Sequence, residues 1–142
     1  MLVACRACVT SARRVQGVCV GAVTDGNTDV SRAAAVGELF DFAVTAADAG
    51  SSKSAVPPYL QAAHASGHRP TSIVHVGDSI SKDLCGALRC GYRAVWLERE
   101  GRSPSAEEQL ALPPADEGRW TRARSLHDVL RVLLPEVESA GH

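Results

Sequence analysis

Two carboxylates follow an apolar run near the middle of the chain. Residues 73–76 lead directly into Gly77, Asp78 and Ser79, and Asp83 comes five positions after Asp78. The run predicts a buried parallel strand, and open α/β sheets place their chemistry at the carboxyl ends of such strands. Paired carboxylates there suit an oxygen-binding cation such as Mg²⁺. We therefore predict that Asp78 binds Mg²⁺ and that Asp83 is a second ligand or orients the first.

Other polar residues follow the ends of predicted strands and could meet Asp78. Thr24 ends one apolar run and is followed by Asp25 and Gly26, and Lys53 follows the next run. In a right-handed parallel sheet these ends lie on one edge. The Thr24 hydroxyl and the loop N–H groups could donate to phosphate oxygens, which makes Thr24, Asp25 and Gly26 predicted phosphate-binding residues. Lys53 is predicted to bind phosphate and to act catalytically by neutralising charge during phosphoryl transfer.

Each of these residues also has an ordinary structural explanation. Thr24 can be a turn residue, Lys53 can be solvated in a Ser-rich loop, and Asp83 can stabilise the start of the following helix. His75 alternates with apolar neighbours, so we interpret it as a hydrogen-bonded core residue and not as a catalyst. Asp78 has the weakest structural explanation, because little besides function requires a charge directly after a buried strand.

Predicted strands and helices alternate along the chain. Apolar runs predict strands at 18–23, 40–45, 72–76 and 93–97. Helical patterns lie near 3–14, 29–38, 57–66 and 82–90. This order predicts an α/β fold with a doubly wound, mostly parallel sheet. Residues 1–97 would form the core, 98–119 a loop or partly disordered segment, and 120–135 a C-terminal helix packing on the core.

Composition excludes several classes of protein. A chain of 142 residues with 45% hydrophobic content suits one domain, and its net charge of −1 provides no basic field for nucleic acid or an anionic membrane. The apolar runs have strand length, so no membrane span is predicted, and residues 1–20 show no secretory signal. Five scattered cysteines without a zinc-ligand pattern indicate free thiols in a cytoplasmic protein.

The motifs resemble, in order and spacing, those of the haloacid-dehalogenase-like (HAD) superfamily, especially its phosphatases of small metabolites. Residues 21–27 resemble the second motif of that family, 40–53 resemble the approach to the third, and 74–83 resemble the fourth. The resemblance implies a HAD-like Rossmannoid core, Mg²⁺-dependent phosphatase activity and a small phosphorylated metabolite as substrate.

One family motif has no counterpart in this sequence. The first motif, Asp-x-Asp-x-Thr, supplies the nucleophile in the family, and no aspartate precedes Asp25 here. We therefore expect an incomplete core, without the usual first central strand and cap, and weak Mg²⁺ binding. Removing that strand would leave apolar strand edges unpaired or force them to pair directly. Unpaired edges would favour self-association.

The sequence leaves the function open between two interpretations. The chain is either a truncated HAD-like phosphatase or a catalytically inactive remnant that serves as a binding or regulatory module. A receiver-type doubly wound domain is a third reading, but the acidic cluster it needs after its first strand is missing. Whether the chain is an enzyme by itself is not decided by these patterns.

Overall fold

The computed structural model describes residues 18–24, 40–45, 49–50, 56–115 and 118–133. The predicted helices near 3–14 and 29–38 lie outside these ranges, as do Asp25, Gly26 and Lys53.

The described strands form two parallel sheets. Strand β1 (Gly21–Thr24) pairs with β2 (Phe42–Thr45), so that Thr24 stands opposite Thr45. The second sheet has the order β3-β4-β5, formed by β3 (Val74–Gly77), β4 (Arg93–Leu97) and β5 (Trp120–Ala123). All pairings are parallel, which confirms the predicted fold class.

Short helices connect the strands. They are α1 (Pro57–Ser66), a wide π-type turn (Ile80–Cys85) that continues into α2 (Gly86–Arg89), α3 (Ala106–Leu110) and α4 (Leu126–Leu133), with a 3₁₀ turn at Pro70–Ser72. Two prolines open α1, where their missing N–H groups cost nothing, and Gly67 ends it with a φ of 69°. None of the helices in the described ranges has the length and apolar character needed to cross a bilayer.

The three-stranded sheet is covered on both faces, as the continuous apolar runs predict. On one face Val76 and Val95 pack with Val129 of α4. On the other face Ala94 and Trp96 pack with residues of α1 and of the turn before α2. The alternation along β4 therefore divides its side chains between two apolar clusters.

The structure corrects the predictions for the C-terminal part of the chain. The segment 98–119, predicted as a loop, contains α3, which begins with a capping box formed by Ser105 and Glu108. Its five residues are too few to show a helical period. The predicted helix over 120–135 begins instead with β5, and within the described part of that range Leu126–Leu133 is helical. Pairing with β4 makes β5 a strand, which its short, half-exposed sequence does not signal.

The two sheets are not hydrogen-bonded to each other within the described residues. Their side chains nevertheless meet, because Val20, directly before β1, belongs to the same apolar cluster as Val76 and Val95. This arrangement agrees with a sheet that lacks one strand between β1 and β3.

We propose that the chain self-associates through the edges of β1 and β3, between which the described residues place no strand. Unpaired N–H and C=O groups on an apolar edge are a template for pairing with another chain. Light scattering coupled to size-exclusion chromatography should therefore give a mass of at least two chains, rising with concentration. A single monomeric species with one cooperative melting transition at all concentrations would contradict this.

Candidate functional site

Polar side chains collect at the carboxyl ends of the parallel strands. Asp78 directly follows β3, Glu98 and Arg99 follow β4, and Arg124 follows β5. In the other sheet Thr24 is the last residue of β1. This edge is where parallel α/β sheets bind ligands.

Two residues of β4 and its following loop position Asp78. The Nε of Arg99 forms an ion pair with Oδ2 of Asp78 at 2.7 Å, and the Asp78 side chain is 32% exposed. The indole N–H of Trp96 donates to the backbone carbonyl of Asp78 at 3.2 Å. Trp96 stands opposite Gly77 in the strand register, which places its indole beside the turn. Asp78 is thus fixed through both its backbone and its side chain and is still open to solvent.

Asp83 is buried and supports the turn that carries Asp78. Its Oδ1 lies 3.0 Å from Nε2 of His75, which is fully buried in β3. Its Oδ2 accepts a hydrogen bond from the backbone N–H of Ser79 at 3.0 Å. A buried carboxylate is tolerated when such donors satisfy it. The prediction that His75 is a hydrogen-bonded core residue is confirmed, and these contacts favour the orienting role for Asp83.

Gly77 is the residue that lets Asp83 approach the backbone so closely. A Cβ atom at position 77 would lie 2.2 Å from Cγ of Asp83. Any side chain there would push the carboxylate away from His75 and Ser79. Gly77 at the end of β3 is therefore a packing requirement as well as a turn signal.

Two buried tyrosines hold the other side of the turn. The hydroxyl of Tyr59 donates to the carbonyl of Lys82 at 2.6 Å, and its ring meets His75 edge-on with centroids 5.2 Å apart. The hydroxyl of Tyr92 donates to the carbonyl of Tyr59. Burial, and to a lesser extent Cys90, raises the pKa of Tyr92, so it remains a donor at neutral pH. The turn is held from the core as well as from β4.

The buried hydroxyl of Thr24 is suited to bind a ligand. Its Oγ1 is buried and has no hydrogen-bond partner among the described residues. Thr24 and Asp78 end strands of different sheets, so their convergence stays a prediction. The roles of Asp25, Gly26 and Lys53 also stay predictions, since these residues lie outside the described ranges.

The residues present fit Mg²⁺ in one particular mode. Within the described ranges no three His, Cys, Asp or Glu side chains form a cluster that could hold a metal. Mg²⁺, however, is commonly bound through one or two carboxylates together with waters and substrate phosphates. The half-exposed carboxylate of Asp78 suits that mode, with Asp83 fixing the turn behind it.

Sequence reasoning missed the contribution of Trp96 and Arg99. Trp96 was predicted only as part of a strand, and Arg99 fell in a segment predicted as a loop. The signal that could have found Arg99 was its position two residues after an apolar strand, close to the signal that identified Asp78.

Comparison with known proteins shows which family the chain resembles. The HAD-hydrolase-like family model matches residues 51–119. Over 79 residues the chain is 34% identical to the 5-amino-6-(5-phospho-D-ribitylamino)uracil phosphatase YigB of Escherichia coli, covering 56% of this chain and 33% of that protein.

Solved structures agree in fold. A 2-haloacid dehalogenase from Pseudomonas syringae pv. Tomato matches with a TM-score of 0.74 and 28% identity, over 92% of this chain and 51% of that one. A HAD phosphatase from Thermococcus onnurineus matches with a TM-score of 0.73 and 24% identity, over 91% of this chain and 56% of that one. Together these matches support an assignment to the HAD superfamily of hydrolases. The chain spans about half the length of these solved structures and a third of the curated relative.

Removing the Asp83 carboxylate should destabilise the fold. Asp83→Ala leaves His75 and the Ser79 amide without this buried partner, and breaking a buried pair costs about 3 kcal/mol or more. Urea unfolding should show this loss, with Asp83→Asn intermediate. Glu107→Ala, which removes an exposed carboxylate of α3, should change the free energy of unfolding by less than about 0.5 kcal/mol. Equal changes in the free energy of unfolding for Asp83→Ala and Glu107→Ala would contradict a stabilising role for Asp83.

Proposed function

We propose that the chain carries the Mg²⁺- and phosphate-binding part of a HAD-like phosphatase acting on small phosphorylated metabolites. The observation that carries the proposal is Asp78, held by Arg99 and Trp96 at the end of β3 and open to solvent. Mg²⁺ is the ion that the HAD family generally uses. Similarity to a curated phosphatase over 79 residues supports a phosphate ester as the substrate class.

Each residue has a role that follows from its chemistry. Asp78 would hold Mg²⁺, which when bound neutralises charge on phosphoryl oxygens. Asp83 orients the turn through the Ser79 amide. The buried hydroxyl of Thr24 would donate to a phosphate oxygen, and burial without a described protein partner leaves it ready to do so.

Three residues outside the described ranges keep their predicted roles in this proposal. Asp25 and Gly26 would offer backbone N–H groups to the phosphate. Lys53 would neutralise the charge that develops as the phosphoryl group is transferred.

The covalent step needs a carboxylate that this sequence does not supply. No aspartate precedes Asp25, so the family's nucleophile motif is missing from the 142 residues. We propose that the chain is a truncated form and that the nucleophile belongs to a segment outside it. The same observation favours the alternative, a catalytically inactive binding or regulatory module. An in-frame Asp-x-Asp-x-Thr upstream of the codon for Met1 would decide for the phosphatase.

We also propose a cytoplasmic location. The odd number of cysteines supports it, and Cys85 and Cys90 are free thiols in the structure.

Binding of a phosphate ester should depend on Asp78. Titration calorimetry with glycerol 3-phosphate should show binding that requires Mg²⁺, and Asp78→Asn should weaken it at least about tenfold, since it removes the metal-binding carboxylate. Glu107→Gln, an equal loss of charge on α3, should leave the affinity unchanged. Equal affinity in wild type and Asp78→Asn would refute the proposed site.

Hydrolysis by the chain alone should be close to background. Without the nucleophile motif it lacks covalent catalysis, and without the accompanying acid–base group it lacks a further ~10²–10⁴-fold. The measurement is turnover of p-nitrophenyl phosphate with Mg²⁺. Turnover in the wild type that Asp78→Asn abolishes would contradict two statements: that the chain lacks a nucleophile, and that it is a catalytically inactive module.

A further inference from the structure

A cleft lies beside Asp78 on the same edge of the sheet. Its volume is about 470 Å³, and it is lined by residues 98–103, which follow β4, and by Arg124, which follows β5. The cleft therefore opens at the carboxyl ends of two neighbouring parallel strands, where this fold class places ligands. Neither the metal nor the phosphate roles described above use it.

The lining of the cleft carries three arginines and two glutamates. The side chains of Arg99, Arg102 and Arg124 are 69%, 58% and 75% exposed, whereas that of Glu98 is only 15% exposed. The charge of Glu98 is also balanced by two arginines. Arg122 of β5 above all, and then Arg124, lower the pKa of Glu98 and keep it ionised. Glu100 is exposed and lines the cleft as well, so one accessible carboxylate opposes three accessible guanidinium groups.

These guanidinium groups are able to accept a ligand. Arg102 contacts Glu108 at 3.3 Å and Arg124 contacts Glu98 at 3.4 Å, both at the surface. Exposed ion pairs of this kind contribute little free energy, so an incoming anion can replace or share them. A guanidinium group matches carboxylate and phosphate oxygens with two parallel hydrogen bonds.

Arg99 links the cleft to the proposed catalytic site. It lines the cleft and also contacts Oδ2 of Asp78 at 2.7 Å. A molecule whose phosphate group lies at Asp78 therefore has its remaining atoms within reach of the arginines.

We propose that the cleft binds a second anionic group, a carboxylate or phosphate, of the molecule whose phosphate ester lies at Asp78. The inference rests on the proposed function and narrows its substrate class to metabolites with two anionic groups. Arg102 and Arg124 are specificity-determining residues in this proposal, and Arg99 joins the two subsites.

The test compares two ligands that share a phosphate ester and differ in the second group. 3-Phosphoglycerate carries a carboxylate where glycerol 3-phosphate carries a hydroxymethyl group. Titration calorimetry with Mg²⁺ and the full chain should give about fivefold tighter binding of 3-phosphoglycerate, as expected for one exposed charge pair. In Arg102→Gln/Arg124→Gln the ratio of the two dissociation constants should fall to about one.

The control variant is Arg93→Gln, which removes the same kind of charge at the opposite end of β4 and should keep the wild-type ratio. A ratio of one in the wild type, or a ratio that survives the double substitution, would overturn the anion cleft. If both ligands still bind with Mg²⁺ and their binding depends on Asp78, only the anion-binding role of the cleft is refuted and the phosphate site at Asp78 is retained. If neither ligand binds, both proposals fail.

Discussion

The site depends on one buried carboxylate. Asp83 accepts from the Ser79 amide, contacts His75 and packs against Gly77. Because Gly77 and Ser79 flank Asp78, the position of Asp83 fixes the residue between them. A charge in the core is costly unless it is fully satisfied, so this arrangement allows few alternatives. The geometry of the exposed carboxylate therefore follows from that of the buried one.

A line of contacts runs from this turn across the sheet. Trp96 donates to the carbonyl of Asp78, the guanidinium of Arg122 lies 5.1 Å from the Trp96 ring centroid, and Arg122 forms an ion pair with Glu98. The register of β3, β4 and β5 brings these residues together from three strands. The proposed metal ligand and the arginine cleft are thus parts of one polar edge, built on an apolar sheet.

The strand pairing agrees with an incomplete core. The described strands form a pair and a triple that share apolar packing but no hydrogen bonds, and no aspartate precedes Asp25 in the sequence. The two solved structures compared above are roughly twice as long as this chain. A binding edge can form from these strands, whereas the covalent step of the proposed function needs a carboxylate from elsewhere.

Local sequence patterns determined most of the strands, the bounds of α1 and the candidate carboxylate at position 78. Apolar runs predicted β1 to β4, two prolines and Gly67 bounded α1, and the Gly-Asp step after a strand identified Asp78, because each signal depends on residues close in the chain. The roles of Asp83 and Thr24 were left between alternatives, since a carboxylate before a helix and a hydroxyl after a strand occur for several reasons. Only the tertiary structure decided that β5 is a strand, that Asp83 faces His75, and that Arg99 and Trp96 hold Asp78. Those facts depend on strand register and on contacts between distant residues, which no local pattern encodes.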